Sequence, residues 1–72
     1  MTKSISGATE IYGLIGDPVE HSFSPPMMNA AFSSMNLDAR YLAFQVKEEQ
    51  VSEAIEGIRA LTVVGVNVTV PH

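Results

Sequence analysis

Two serines stand where an apolar run gives way to a helical pattern, in the tetrapeptide Ser22-Phe23-Ser24-Pro25. Serine at the N-cap followed by proline at the first helical position is a strong signal for a helix start, so we expect Ser24 to cap a helix. Four N–H groups without intrahelical partners, at the positive end of the helix dipole, would then lie beside the hydroxyls of Ser22 and Ser24. That arrangement suits a small anion such as a carboxylate. The alternative is structural, with Ser24 only capping the helix and Ser22 only forming a turn.

A second set of small and polar side chains alternates with valine between residues 64 and 70. A period of two places four valines on one face of a strand and Gly65, Asn67 and Thr69 on the other. The face that carries Asn67 and Thr69 is where a ligand is expected, although both side chains would also suit the solvent-exposed face of an ordinary sheet. The run Asn67-Val68-Thr69 matches the N-glycosylation sequon, which we discount because no secretory signal is recognisable.

The elements that position these residues alternate between strand and helix. Apolar patterning predicts strands at residues 10–15, 40–46 and 62–70, and helices at residues 25–36 and 47–61. This order predicts an α/β fold, a βαβαβ fragment with a mainly parallel sheet in a three-layer arrangement and right-handed crossovers. Ligands bind such sheets beyond the C-terminal ends of the strands. If the first and third strands are neighbours, the four polar side chains converge on one crevice: Ser22, Ser24, Asn67 and Thr69.

Each helix is indicated by apolar residues at spacings of three and four. In the first helix we expect one side to lie in the core, with Asn36 at the C-terminal end. That side comprises Met27, Met28, Ala31, Phe32 and Met35. The second helix has the clearest periodicity, with an acidic face toward solvent. Its apolar stripe comprises Val51, Ala54, Ile55 and Ile58.

Composition narrows the functional classes. The 72 residues allow one domain at most, and the absence of cysteine fits a cytoplasmic protein. The net charge is −4 and the four basic residues are scattered, which argues against nucleic acid as a partner. No apolar run approaches the roughly 20 residues of a membrane span, and no His and carboxylate have metal-ligand spacing. Residues 1–9 are polar and are expected to form a disordered lead rather than a signal peptide.

Two motifs resemble the N-terminal substrate-binding domain of shikimate dehydrogenases. They are Gly16-Asp-Pro-Val-Glu-His-Ser-Phe-Ser-Pro25, followed by Asn29, and Asn67-Val-Thr-Val-Pro71. The resemblance covers about residues 11 to 72. It implies the reversible, NADP-dependent reduction of 3-dehydroshikimate to shikimate, within the shikimate pathway of aromatic amino acid and chorismate biosynthesis. It also implies a substrate-binding domain followed by a Rossmann domain for the cofactor.

The resemblance assigns roles to four residues. It implies that Ser22 and Ser24 bind the substrate carboxylate and that Thr69 contacts the carboxylate or the ring hydroxyls. Asn67 would help to shape the same site.

Two departures from the family pattern concern packing and activity. Met28 stands where the family usually has histidine, which we expect to alter packing more than chemistry. The family's catalytic lysine would follow His72 directly, and its catalytic aspartate and glycine-rich cofactor loop would lie further on. The run Gly13-Leu-Ile-Gly16 lacks the spacing of a dinucleotide-binding loop. We therefore expect residues 10–72 to form a partial substrate-binding domain with no catalytic, cofactor-binding or metal-binding residue, inactive alone.

Three other interpretations remain open at the level of sequence. In the first, the parent enzyme is a close relative that acts on quinate or another cyclohexane carboxylate, with NAD or NADP. Alternatively, the chain is a non-catalytic module that binds carboxylates. In the third, it is a structural α/β fragment stabilised by dimerisation. A small-molecule substrate is the expected partner, and a homodimer is left open.

Overall fold

The fold consists of a three-stranded parallel sheet with two connecting helices. The structure, a computed structural model, describes residues 4–69. The strands are β1 (Glu10–Gly16), β2 (Ala39–Gln45) and β3 (Gly65–Val68), and the helices are α1 (Ser24–Ser34) and α2 (Val51–Ala60). The order of strands is β2-β1-β3, so the first and third strands are neighbours. The predicted βαβαβ architecture is confirmed. No helix within residues 4–69 is long and apolar enough to cross a membrane.

The main core lies between the sheet and α1. Leu14 of β1 and Tyr41 of β2 are buried there together with Val19 from the loop after β1. Met28 and Phe32 of α1 pack against this cluster. Of the five side chains expected in the α1 core stripe, only these two contact the core cluster.

The outer part of that stripe was placed wrongly by the sequence pattern. Met27 and Met35 are 62% and 63% exposed, and no residue of α1 is fully buried. The cause is a polar residue on the inward face. The side chain of Asn29 donates from Nδ2 to the Tyr41 carbonyl oxygen, and its Oδ1 accepts the Tyr41 N–H, both at 2.8 Å. These bonds fix the rotation of α1 so that Met28 and Phe32 face the sheet.

The second helix covers the opposite face of the sheet. Neighbouring side chains on a strand point to opposite faces, and Ile15, next to the core residue Leu14, lies on the α2 side with Phe44 of β2. An apolar cleft of about 350 Å³ remains between these residues and Ala54 and Ile58 of α2. The two helices therefore form separate layers, as predicted.

The second helix differs from the sequence prediction in its first turn and in the burial of its apolar stripe. The first turn, Glu48–Gln50, is a 3₁₀-helix, and Ile55, expected in the core stripe, is 39% exposed. Because the helix presents only part of its stripe to the sheet, none of its residues is fully buried.

The two helices end in the same hydrogen-bonded motif. Asn36 has φ 55° and follows the last turn of α1, where Leu37 N–H donates to the Phe32 carbonyl at 2.9 Å. This confirms the predicted role of Asn36. Thr62 also has φ 55°, and Val63 N–H donates to the Ile58 carbonyl at 3.1 Å. The prediction that β3 starts at Thr62 is therefore wrong, because residues 61–63 close α2.

Two predictions concern residues near the ends of the chain. Within the lead expected to be disordered, Ser6 N–H donates to Thr9 Oγ1 at 2.9 Å, and Thr9 Oγ1 donates to Asp38 at 2.8 Å. Val70 and Pro71, predicted to complete and end β3, lie outside the described residues.

Substituting alanine for two glycines should shift stability in opposite directions. A Cβ atom at Gly13 would lie 2.8 Å from Phe44 Cε2 and 3.3 Å from the Leu42 carbonyl oxygen. We expect Gly13→Ala to lower the free energy of unfolding by about 1–2 kcal/mol through overpacking. Gly57→Ala meets no atom within 4 Å and should raise it by about 0.5–1 kcal/mol, because alanine favours a helix. Urea denaturation measures both, and equal effects would contradict the close approach of Phe44 to β1.

The left-handed conformation of Thr62 leads to a second prediction about the free energy of unfolding. A β-branched residue is strained at positive φ, whereas asparagine and glycine tolerate it. Thr62→Asn should therefore raise the free energy of unfolding by about 0.5–1 kcal/mol. The reciprocal change Asn36→Thr should lower it by a similar amount. Thermal unfolding of the pair tests this, and stabilisation by threonine at position 36 would refute the assignment.

Candidate functional site

The segment between β1 and α1 carries the two serines from the C-terminal edge of the sheet to the start of the helix. The Asp17–Pro18 peptide is cis. Val19 is buried in the core, and Ser22 N–H donates to the Val19 carbonyl at 3.0 Å. A core residue thus anchors the loop three positions before Ser22 and fixes where the first serine lies.

The two serines are joined by a hydrogen bond at the start of α1. Ser24 N–H donates to Ser22 Oγ at 3.2 Å. The N-cap residue is Phe23, whose side chain makes no capping bond, and Ser24 is the first helical residue. The expectation that Ser24 caps the helix is therefore wrong. Ser22, one position before the N-cap, accepts the hydrogen bond from the first N–H of the helix instead.

The expected ring of free N–H groups is also absent from this helix start. Pro25 and Pro26 have no N–H to offer. The N–H of Ser24 is bonded to Ser22, and that of Met27 donates to the Phe23 carbonyl at 3.2 Å. An anion at this position would have to be held by the serine hydroxyls, with the helix dipole as a weaker contribution.

Both hydroxyl groups have capacity for a ligand. Ser22 Oγ acts as an acceptor toward Ser24, which leaves its own O–H to donate elsewhere. Among residues 4–69, the structure gives the Ser24 hydroxyl no hydrogen-bond partner. Both side chains are half-buried, so they are reachable from solvent and partly shielded from it.

On β3, the predicted alternation is confirmed within the described residues. Asn67 pairs with Leu14 in the sheet register and lies on the α1 face, whereas Val66 and Val68 pair with Gly13 and Ile15. Asn67 Nδ2 donates to the hydroxyl of Tyr41 at 3.3 Å.

Thr69 follows β3 directly and continues its pairing with β1. Its N–H donates to the Ile15 carbonyl at 2.9 Å. Continued alternation from Asn67 places the Thr69 side chain on the α1 face. Thr69 is therefore at the same sheet edge from which the segment with Ser22 and Ser24 departs. Within residues 4–69, no hydrogen bond joins the serines to Asn67 or Thr69.

Sequence reasoning missed the residues that connect these two groups. Tyr41 counted only as an apolar strand residue, yet its buried ring carries a hydroxyl that needs a hydrogen-bond partner. Asn29 entered only through a family motif, although a lone amide on the inward face of a helix signals a specific bond. Both signals were present in the sequence and were outweighed by hydrophobic periodicity.

The loop that leads from β1 to the serines contains three titratable side chains, those of Asp17, Glu20 and His21. His21 lies 3.8 Å from Glu20, with 91% and 75% of the two side chains exposed to solvent. No three His, Asp or Glu side chains among residues 4–69 are close enough together to hold a metal ion. The four candidate site residues themselves offer only neutral hydroxyl and amide groups to a ligand.

Comparison with known proteins supports the resemblance seen in the sequence. Residues 14–72 match the family described as the shikimate dehydrogenase substrate binding domain. An NADP(+) shikimate dehydrogenase of Methanobrevibacter smithii is 56% identical over 68 residues, covering 94% of this chain and 24% of the relative. One from Geobacter sulfurreducens is 52% identical over 67 residues, covering 93% and 23%. The chain thus spans about a quarter of the length of these relatives.

Solved structures show the same fold. The shikimate dehydrogenase of Aquifex aeolicus matches with a TM-score of 0.91 and 48% identity, covering 94% of this chain and 26% of that one. A shikimate 5-dehydrogenase from Listeria monocytogenes, in complex with shikimate and NAD, matches with a TM-score of 0.91 and 43% identity, covering 100% and 25%. A 5-ketofructose reductase of Gluconobacter matches with a TM-score of 0.88 and 28% identity, covering 93% and 24%.

The bond between α1 and the edge of β2 gives a prediction about stability. Asn29→Ala removes both partners of the Tyr41 backbone and frees the rotation of α1. We expect the free energy of unfolding to fall by about 1–3 kcal/mol. Ser34→Ala, at the exposed end of the same helix, is the matched control and should change it by less than about 0.5 kcal/mol. Equal effects of the two substitutions in urea denaturation would contradict the role given to Asn29.

Proposed function

Because this chain belongs to the shikimate dehydrogenase substrate binding domain family, we propose that it forms the substrate-holding part of an NADP-dependent shikimate dehydrogenase. The observation that carries this proposal is the placement of two hydroxyl-bearing serines and a polar strand on one edge of the sheet. Residues 10–72 are proposed as part of the substrate-binding domain. The NADP-binding Rossmann domain is proposed to lie outside these residues.

Ser22 and Ser24 are proposed to hold the carboxylate of shikimate or 3-dehydroshikimate. The bond from Ser24 N–H to Ser22 Oγ sets the first serine as an acceptor, so its O–H is free to donate to the ligand. Ser24 supplies the second O–H. Hydrogen bonds to a charged acceptor are about twice as strong as those between neutral groups, which supports a site built from two hydroxyls.

Asn67 and Thr69 are proposed to contact the rest of the ligand. A polyhydroxylated ring offers both donors and acceptors, and an amide and a hydroxyl can each serve as either. Both residues lie on the α1 face of the sheet, the side on which the serines begin the helix. A ligand that contacts both pairs would connect groups that no hydrogen bond joins within residues 4–69.

The described residues do not fit the cofactor. Gly13 lies within β1, where Phe44 and Leu42 occupy the space that a Cβ atom would need, and it does not form a loop that opens a helix. A dinucleotide-binding loop needs glycines between a strand and a helix, with their backbone free to approach a pyrophosphate. NADP is therefore proposed to bind elsewhere in the enzyme, and the role of this chain is to hold the substrate.

The fold alone does not select the substrate. The 5-ketofructose reductase shares the fold at 28% identity, so the same fold occurs in a reductase that is named for a different substrate. Specificity must come from side chains placed at the edge of the sheet. The serine pair and the Asn-x-Thr strand are the features that favour a cyclic hydroxy-carboxylate.

A chimeric enzyme tests the proposal directly. Residues 1–72 would replace the matching segment of the Methanobrevibacter smithii shikimate dehydrogenase. We expect the chimera to oxidise shikimate with NADP, because the substituted residues would supply the same substrate contacts. Assays with shikimate and with quinate measure the preference. A folded chimera that is inactive on shikimate, or that prefers quinate, would contradict the proposal.

The role of the serines is tested in the same chimera. Ser24→Ala removes a charge-assisted hydrogen bond of about 1.5–3 kcal/mol, so kcat/KM for shikimate should fall roughly 10- to 150-fold. Ser34→Ala, ten residues along the same helix and exposed, should leave kcat/KM unchanged. If Ser24→Ala behaves like its control, Ser24 does not contact the substrate.

A further inference from the structure

We propose that Tyr41 is a positioning residue whose hydroxyl holds Asn67 in the orientation that contacts the substrate. The inference rests on the proposed function, since it concerns how one residue of that site is kept in place. It adds a residue to which neither the family match nor the motifs assign a role.

The ring of Tyr41 spans the sheet from one edge strand to the other. Tyr41 belongs to β2, and Asn67 to β3, with β1 between them. The ring is 3% exposed and packs with Leu14 and Val19 in the core. Its hydroxyl reaches the Asn67 amide nitrogen at 3.3 Å. A rigid aromatic side chain thus carries a polar group across the middle strand to the polar face of β3.

The other end of Tyr41 is fixed by α1. Both backbone polar groups of Tyr41 are bonded to the Asn29 side chain at 2.8 Å. Core packing and these two bonds leave the ring little freedom to move. Asn67, in contrast, is an exposed side chain, and Tyr41 is its hydrogen-bond partner among the described residues.

Because Tyr41 is held rigidly and Asn67 is exposed, the hydrogen bond between them restricts Asn67 more than it restricts Tyr41. A buried, doubly anchored hydroxyl can restrict an exposed amide, whereas an exposed amide can do little to order a buried ring. Because α1 begins at Ser24 and β3 carries Asn67, Tyr41 also links the two halves of the proposed site. Preorganised contacts bind a ligand without the cost of ordering side chains at the moment of binding.

If the hydrogen bond between Tyr41 and Asn67 has only a structural role, the expected effect of its removal is different. If Asn67 only satisfies the Tyr41 hydroxyl, removal of that hydroxyl would leave an exposed amide in water and change nothing in ligand binding. If Tyr41 positions Asn67, its removal would weaken shikimate binding, and only while Asn67 is present.

A double-mutant cycle in the chimera distinguishes the positioning role from the purely structural role. The variants are Tyr41→Phe, Asn67→Ala and the double substitution. We expect Tyr41→Phe to raise KM for shikimate about fivefold, the factor for one ordinary hydrogen bond, with kcat and KM for NADP unchanged. In the Asn67→Ala background, Tyr41→Phe should add no further increase.

Tyr12→Phe is the matched control. Tyr12 is the register partner of Tyr41 on the same face of the sheet, and its ring lies 5.4 Å from that of Phe32. The structure gives its hydroxyl no hydrogen bond among residues 4–69. Its substitution should leave KM for shikimate within about twofold of the unsubstituted chimera, a change below that of one hydrogen bond.

The outcomes distinguish this inference from the proposed function. If Asn67→Ala raises KM but Tyr41→Phe does not, the positioning role is wrong and the substrate site stands. An equal effect of Tyr41→Phe with and without Asn67 would also overturn it, since the effect would then arise from packing. If Asn67→Ala has no effect while Ser24→Ala does, both Asn67 and its positioning by Tyr41 are removed from the site.

A spectroscopic measurement tests the bond without activity. In the chimera labelled with ¹⁵N-asparagine, the side-chain NH₂ signal of Asn67 reports its hydrogen bond. We expect Tyr41→Phe to shift and broaden this signal and Tyr12→Phe to leave it in place. An unchanged Asn67 signal in Tyr41→Phe would overturn the inference even if the chimera were inactive.

Discussion

The pair of hydrogen bonds between the Asn29 side chain and the Tyr41 backbone is the constraint on which the rest of the structure depends. β2 is an edge strand, and its outward N–H and C=O groups at Tyr41 would otherwise face solvent or another chain. By satisfying them, Asn29 sets the rotation and the height of α1 on the sheet. The start of that helix, with Ser24 as its first residue, is thereby placed relative to the strands.

The fold places the candidate site, whereas the side chains at the edge of the sheet determine its chemistry. The arrangement of three parallel strands with two crossover helices is shared with shikimate dehydrogenases and with a 5-ketofructose reductase. What the sheet provides is an edge at which the segment after β1 and the end of β3 lie together. The chemistry depends on which small polar side chains occupy that edge, and two serines, an asparagine and a threonine occupy it here.

The order of elements, the parallel sheet and the alternation along β3 could be predicted because each depends on local periodicity. The inward face of α1 could not, because spacings of three and four fit two faces when methionine and alanine occur on both. A polar contact of Asn29 decided between them. Apolar patterning extends the third predicted strand back to Thr62, but this residue takes part in the hydrogen bonds that end α2. At Ser24, the competing acceptor was a serine two positions earlier, and the adjacent prolines removed the donors that a capping argument assumes.

The two prolines at the start of α1 also determine how this loop responds to its surroundings. With no fixed N–H groups pointing outward, the proposed anion contacts are neutral hydroxyls that rotate and can donate to water when no ligand is present. The serine hydroxyls carry no formal charge to be screened by salt, and the carboxylates of the same loop, Asp17 and Glu20, have the wrong sign to attract an anion from a distance. Under the proposed function, the two serines therefore act at short range: they would hold a carboxylate that has already reached them, and any long-range attraction would come from other residues.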